Sequence, residues 1–398
     1  MIRFLLITLM CFILSKAEAQ KPAAKWYKGN THTHSYWSDG DDFPEMIMDW
    51  YKSHGYDFIS LSDHNILAEG EKWKEIPNFP AAKQRFQEYL KKYGTDWVKY
   101  KIDTGNRINV KLKTLQEYRP LFEEKGKFLI MQAEEISDKF EERPIHIGAI
   151  NVKELVKPQG GKSVTEVMQN NLDEVNAQRK RTGQTMFSHL NHPNFRWAIK
   201  LEDMLDLKGE RFFEVYNGHP QVNNYGDSAR MGMEELWDKL LVHYIKEGKP
   251  LLYGLATDDA HNHIEYKTNL SNPGRGWIMV KAHELTPTAL IEAMERGDFY
   301  ATTGVELSDV IFDNRSLKIQ VKPSVGVNYT IQFCGAGKSA EKGKGSVLLK
   351  EVKGNTGIYT LSKKDLYVRA KIISSKLKEN PYQKGDVETA WTQPVVMK

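Results

Sequence analysis

Apolar and polar positions between residues 26 and 300 follow two rhythms. Short β-branched and aromatic runs predict strands over residues 56–62, 128–136, 145–152, 185–190, 212–216 and 251–256, with residues 26–33 as a first. Stretches of helical period separate them at residues 44–54, 163–181, 199–207, 233–247 and 287–296. Ser163 with Glu166 has the spacing of a capping box, and Gly248 is placed to end its helix. This alternation predicts an α/β fold with a parallel sheet. The number of units favours a seven-stranded (β/α) TIM-like barrel over an open doubly wound sheet, for which no glycine-rich nucleotide fingerprint is present.

Two segments depart from the alternation. Residues 67–127, rich in Lys, Glu and aromatics, are expected to be a helical insertion that acts as a lid or substrate wall. After Gly304 the runs at residues 317–321, 328–333, 346–349, 357–361 and 366–373 lack helical period, so residues 305–398 are expected to form a small antiparallel, β-sandwich-like domain. At the amino terminus Arg3 precedes an apolar run over residues 4–14, and Ala17-Glu18-Ala19 fits a small-x-small cleavage pattern. Residues 1–19 are therefore expected to be a signal peptide, residues 20–304 the barrel unit, and the protein exported to the periplasm or beyond. The apolar run is shorter than the ~20 residues of a membrane span, so no stable span is expected.

Composition narrows the chemistry. With 56 Lys+Arg against 52 Asp+Glu the net charge is +4, which offers no basis for binding nucleic acid. Nine Trp, 18 Tyr and 16 Phe supply apolar area that a disordered chain lacks. Only two cysteines are present, and Cys11 falls in the expected signal, so a metal would rest on nitrogen and oxygen ligands.

Those ligand types gather where the predicted strands end. His32-Thr33-His34 follows the first; at i and i+2 of an extended segment both imidazoles face one side. Asp39 follows in Ser38-Asp39-Gly40, and later strand ends carry Asp63-His64, Glu134-Glu135, His146, His189 with His192, and Asp258-Asp259 with His261. Groups at the carboxyl ends of parallel strands converge on the mouth of a barrel, where catalysis occurs. Nitrogen and oxygen donors without thiolate suit zinc, manganese or iron, and nine candidate ligands suffice for two or three divalent ions. Hydrolysis is the natural chemistry of such a centre.

These residues carry a resemblance. In order, His32-Thr33-His34 with Ser38-Asp39-Gly40, Ser62-Asp63-His64, Glu135-Ile136-Ser137, His146, His192-Pro193 and Asp259-Ala260-His261 resemble the motifs of the PHP (polymerase and histidinol phosphatase) superfamily over residues 28–303. The resemblance implies a distorted seven-stranded barrel with a trinuclear metal site. By position it implies His32, His34, Glu135 and Asp259 around a first ion, and Glu135 bridging to a second held by His146 and His192. Asp39, His64 and His261 would hold the third, with Asp63 orienting a ligand. Ala133 stands where the family usually has glycine; Glu134 remains the alternative to Glu135, His189 to His192 and Asp258 to Asp259.

A small-molecule or glycan-linked phosphate ester, attacked by a hydroxide between the ions, is the leading substrate class. Arginine suits phosphate oxygens, which nominates Arg275 as a catalytic and substrate-binding residue and Arg196 as a second substrate contact, with His219 lining the pocket. Residues 285–304 and Ala390-Trp391-Thr392-Gln393-Pro394 resemble an exported branch that includes carbamate hydrolases. Hydrolysis of a carbamate, ester or amide is therefore the alternative, and a metal-bearing binding protein without catalysis a further one.

Overall fold

A computed structural model describes residues 23–397; the expected signal peptide lies outside the described residues. The first part of the chain runs β1 (Lys25–Asn30), α1 (Pro44–Ser53) and β2 (Phe58–Leu61), then the insertion, β3 (Trp73–Glu75), α2 (Pro80–Trp97), β4 (Tyr100–Ile102), β5 (Ile108–Lys111) and α3 (Leu115–Phe122). It continues through β6 (Leu129–Phe140), β7 (Arg143–Ile150), α4 (Val164–Thr182), β8 (Phe187–Leu190), α5 (Leu201–Leu205), β9 (Phe212–Asn217), α6 (Met233–Lys246) and β10 (Tyr253–Thr257). The remainder is β11 (Trp277–Ala282), α7 (Pro287–Glu295), β12 (Phe299–Thr302), β13 (Leu307–Asp313), β14 (Ser316–Val321), β15 (Tyr329–Gly337), β16 (Val347–Lys353), β17 (Thr356–Thr360), β18 (Asp365–Leu377) and β19 (Val387–Thr392).

One large mixed sheet organises the molecule, in the order β10-β9-β8-β7-β6-β2-β1-β11-β12-β19-β18-β15-β16. The expectation of a parallel sheet holds for β1 with β2, β2 with β6, β8 with β9 and β9 with β10, and fails elsewhere. Strands β6 and β7 form an antiparallel hairpin without an intervening helix; Glu141 in the tight turn adopts φ 54°. Strand β11 returns antiparallel beside β1. Helix α4 begins as its capping pattern predicts, the Ser163 hydroxyl accepting from the Glu166 amide at 3.1 Å. The Glu166 carboxylate takes the Lys162 amide instead of the reciprocal bond. Gly248, at φ 67°, follows the end of α6.

The main core packs Val167, Leu172 and Val175 of α4 and Leu236, Trp237 and Leu240 of α6 against Ile147, Leu190 and Phe213 of the sheet. Residues 67–127 are not simply helical. The strands β3, β5 and β4 form their own antiparallel sheet, because alternating side chains such as Val110 bury against Phe86 and Tyr89 of α2. The same cluster includes Tyr36, Trp37 and Phe43, so the insertion clamps the segment after β1.

Beyond Gly304, β13, β14 and β17 form one antiparallel sheet, which shares an apolar cluster with β15 and β18 through Leu317, Ile319, Ile331, Phe333 and Ile372. Several contacts join this region to the rest. Strand β19 pairs with β12, and the Gln393 side chain exchanges two hydrogen bonds of 2.9 Å with the main chain of Gly254 in β10. Arg369 of β18 makes a two-pronged contact with Asp238 of α6, at 2.8 and 2.6 Å, and both residues are buried. Tyr367 and Ser346 donate to the same carboxylate.

Removing one member of a buried ion pair leaves the other uncompensated. Arg369→Met is expected to lower stability by about 3–5 kcal/mol, read by urea unfolding; adding Asp238→Leu should recover most of the loss. Equal stability of Arg369→Met and the unmodified chain would show that the pair contributes nothing at this junction.

Candidate metal centre

The ends of β1 and β10 lie side by side. The Asp259 amide donates to the His32 carbonyl at 2.9 Å and the His34 amide to the Ala260 carbonyl at 2.9 Å, in a parallel bridge between Thr33 and Ala260. This ladder fixes His32, His34, Asp259 and His261 relative to one another. Asp259 and His192 both lie at positive φ, 47° and 26°, a backbone region costly for residues with a Cβ and concentrated at functional sites. Gly40 also has a steric reason: a Cβ there would lie 2.5 Å from the main chain of His34.

Glu135, in the middle of β6, is the hub. Its Oε1 lies 3.1 Å from His146 Nδ1, 3.1 Å from His192 Nε2 and 3.3 Å from His32 Nε2. Its Oε2 lies 2.9 Å from His64 Nδ1 and 3.4 Å from His34 Nε2. Asp259 Oδ1 stands 3.2 Å from His32 Nε2 and 3.1 Å from His34 Nε2. Asp39 Oδ1, more exposed, lies 3.4 Å from His261 Nε2 and 3.5 Å from His64 Nε2.

All nine residues nominated as ligands therefore converge. Donor atoms within 4.8 Å of one another group as His34, Asp39, His64 and His261; as His32, His34 and Glu135; as His32, His192 and Asp259; and as His64, Glu135 and His146. The groups overlap: His34 also lies with Asp39, His64 also reaches Glu135, and His192 stands 3.1 Å from Glu135 and 3.8 Å from Asp259. The donor set itself tests the fit to divalent ions. His32 Nε2, His34 Nδ1 and Glu135 Oε2 are buried without a hydrogen-bond partner, as suits atoms directed at a cation. Burial opposes ionisation of Glu135, but His32, His146 and His64 hold its carboxyl well below the usual range. Burial, reinforced by His261 and His64, pushes His34 down to about 3 and so keeps it a neutral donor.

The alternatives left open by the sequence separate by the pleat. Glu134 turns away from the centre; one oxygen accepts from the Val156 amide at 2.6 Å and the other has no partner. His189 lies 4.0 Å from Glu214 and belongs to none of the four groups. Asp258 accepts from Asn30, Tyr51 and the amides of Arg275 and Gly276, all within 2.8 Å. It braces the loop behind the centre.

Arg275 takes a different place from the one nominated for it. Arg275 is fully buried, and its guanidinium donates to the carbonyls of Gly218 and Lys267, at 2.8 and 3.0 Å, which commits it to holding loops together and removes it as a catalytic or substrate-binding group. Asp63 accepts from the Ser35 amide and hydroxyl and the Ser38 hydroxyl, at 2.8, 2.7 and 2.6 Å, and so shapes the turn that carries Asp39, which agrees with the expectation that it orients a ligand. Both roles depend on contacts far apart in sequence. His219 stands beside the centre, its ring 5.4 Å from that of His261, and burial pushes it down to about 4. Arg196 is exposed, with its guanidinium 5.1 Å from the Phe195 ring, which in turn lies 5.1 Å from the His192 ring.

Sequence reasoning missed the groups that hold the ligands. Glu214 of β9 lies 2.7 Å from His32 Nδ1 and accepts from Thr257, Asn217 and the His192 amide at 2.7 to 2.8 Å. Asn191 donates to Glu135 at 2.7 Å and Asn217 to Asp259 at 3.1 Å. Such partners fix ring orientation and tautomer. The available signal was a carboxylate inside the apolar run Phe212–Asn217.

No protein-family model matches the chain, and no curated protein does. Among solved structures it is similar to a two-domain protein from Bacteroides vulgatus containing a predicted PHP-like metal-dependent phosphoesterase, at 15% identity and a TM-score of 0.40 over 97% of this chain and 99% of that one. A protein from Bifidobacterium adolescentis named for a metal-dependent phosphoesterase matches at 11% identity and a TM-score of 0.28, over 62% of this chain and 92% of that one. An amidohydrolase from Chromobacterium violaceum matches at 14% and 0.29, over 59% and 87%. Overlaps this loose bear on neither substrate nor mechanism, which rest on the side chains above.

Two outcomes check this arrangement. Glu214→Gln, which alters no nominated ligand, should weaken divalent-metal affinity about 10- to 100-fold by competition with a chelating dye; unchanged affinity would remove Glu214 from the site. Burial raises Glu134 from 4.5 to about 8. The folded state then holds a proton that the unfolded state releases, so this residue's contribution makes stability fall as pH rises from about 4.5 to 8. Glu134→Gln should flatten that decline in melts at pH 5 and 8, and an unchanged slope would contradict it.

Proposed function

We propose that this chain is a PHP-like metal-dependent hydrolase that cleaves a phosphate mono- or diester at a centre of two or three divalent ions, zinc, manganese or iron. The carrying observation is the convergence of nine imidazole and carboxylate side chains around Glu135, with several buried donor atoms free of hydrogen bonds. The bridge between Thr33 and Ala260 supports reading the strands from β10 to β1 as a distorted barrel with the centre at its mouth. We divide the chain at Gly304 and read residues 1–19 as an export signal, on the pattern of the residues there.

When bound, such ions supply a nucleophile at neutral pH and bear the charge that develops on a phosphoryl oxygen. The protein's own residues prepare the place. Glu214 fixes the His32 ring, Asn191 and Asn217 aim the Glu135 and Asp259 carboxylates, and Asp63 holds the turn that presents Asp39. Phe195 lies over His146 and His192, with ring centroids 6.2 and 5.1 Å away. Arg196, exposed beside it, is the guanidinium we assign to the substrate phosphate in place of Arg275. Neutral His219 stands next to Phe195 and His261, with ring centroids 5.8 and 5.4 Å away.

The burial of Arg275 favours one second reading. With a single arginine left beside the centre, an uncharged carbamate, ester or amide is accommodated without loss of a phosphate clamp. Purified protein should contain two to three equivalents of divalent metal and release aryl alcohol from an aryl phosphate mono- or diester. His34→Ala and Asp259→Ala should each lower kcat/KM about 100-fold or more. Full activity in both variants would overturn the site; turnover of aryl carbamates or esters with no phosphate release would select the second reading.

A further inference from the structure

A cavity of about 890 Å³ contains none of the nine residues of the metal centre. It lies where β1, α1 and the loop before β2 meet the loop before β11 and residues 376–388, and its volume is within the roughly 300–1,000 Å³ of small-molecule sites. Four aromatic residues line it: Trp50, Tyr56, Tyr266 and Trp277.

Two ammonium groups enter among these rings. Lys28 Nζ stands 3.9 Å from the Tyr56 ring centre and 4.4 Å from that of Trp277, while Lys378 Nζ lies 5.1 Å from Trp277. Both donate to main-chain carbonyls, Lys28 to His54 at 3.2 Å and Lys378 to Gly274 at 3.0 Å and to Thr303. The other cations of the cavity are neutralised: Arg85 pairs with Asp42, Lys267 with Glu265 and Lys376 with Glu388. Burial pushes Lys378 down to about 8. A desolvated ammonium without a carboxylate partner is costly to the fold and strongly attracts an anion.

Two residues of the lining carry unsatisfied donors. Tyr56 is 3% exposed and its hydroxyl has no hydrogen-bond partner; Trp277 Nε1 is likewise buried and unpaired. Such groups ordinarily find a partner. Thr268 and Asn380 add a hydroxyl and an amide to the lining. Aromatic faces with interspersed polar groups suit a ring that is apolar on its faces and hydroxylated at its rim.

We propose that this cavity is a second ligand site, separate from the metal centre, that binds a sugar ring bearing an acidic group, with the anion held by Lys28 and Lys378 and the ring against Trp277. The shared chemistry is a carboxylated or sulfated sugar. The loop that supplies Thr268, Pro273 and Gly274 to its wall begins just after His261, so the two sites share a loop without sharing a ligand.

Tryptophan fluorescence of the full chain, titrated with galacturonate, N-acetylglucosamine 6-sulfate and glucose, tests this. Saturable binding of at least one acidic sugar, and none of glucose, is expected; the two acidic arms identify the anion. Lys378→Met should weaken binding at least about tenfold, the scale of one hydrogen bond to a charged group. Tyr56→Phe should also weaken binding while leaving the unliganded melting temperature unchanged or higher, because it removes a hydroxyl the protein leaves unbonded. His34→Ala should bind as the unmodified chain does, which separates this site from the metal centre. Equal binding of glucose, acidic-sugar binding unaffected by Tyr56→Phe and Lys378→Met, loss of binding in His34→Ala, or no saturable binding by any probe would overturn the proposal.

Discussion

One buried carboxylate sets the terms for the rest of the structure. Glu135 lies within 3.4 Å of five imidazoles, those of His32, His34, His64, His146 and His192, and is shielded from water. An isolated carboxylate in such a place is prohibitively costly, and five rings cannot all carry protons beside one another. Ionised carboxylates and rings that share positive charge meet that cost together: against the opposing effect of burial, the carboxylates draw the His64 imidazole up to about 11, while burial keeps His34 neutral. That single requirement accounts for the fully buried His32 and His34 and for the carboxylates of Asp259 and Asp39 on either flank.

Holding so many donors in register requires main-chain constraint. The short ladder between the ends of β1 and β10 supplies it, and the strained backbone of His192 and Asp259 is retained because side-chain contacts over-determine it. Glu214 extends the same logic one layer outward: its two oxygens tie together His32, Thr257, Asn217 and the His192 main chain, elements from three parts of the chain. Asp63 does the same for the Ser35–Ser38 turn. Buried hydrogen bonds shared in this way rigidify their surroundings.

The region after Gly304 is coupled to this architecture more closely than a tethered module. Strand β19 extends the main sheet, Gln393 binds β10 in the manner of an additional strand residue, and Arg369 reaches Asp238 on α6. Beside the cavity the register of β18 with β19 shifts between Ile373 and Leu377, and the chain beyond carries Lys378 over Trp277.

The sequence by itself determined which residues could serve a metal. Chemistry-bearing types at strand ends are visible in one dimension because the i, i+2 period of a strand is local, as with His32 and His34 or Asp259 and His261. The α4 cap and the turn after α6 were legible for the same reason: each is decided within a few residues. What only the tertiary structure decided are relations between distant segments. The antiparallel return of β7 and β11, the small sheet within residues 67–127, the turning away of Glu134, the burial of Arg275 under three loops and the bracing by Glu214 all depend on which strands become neighbours. A side chain's face follows from local period, but its partner follows from packing, and packing is settled by the whole chain at once.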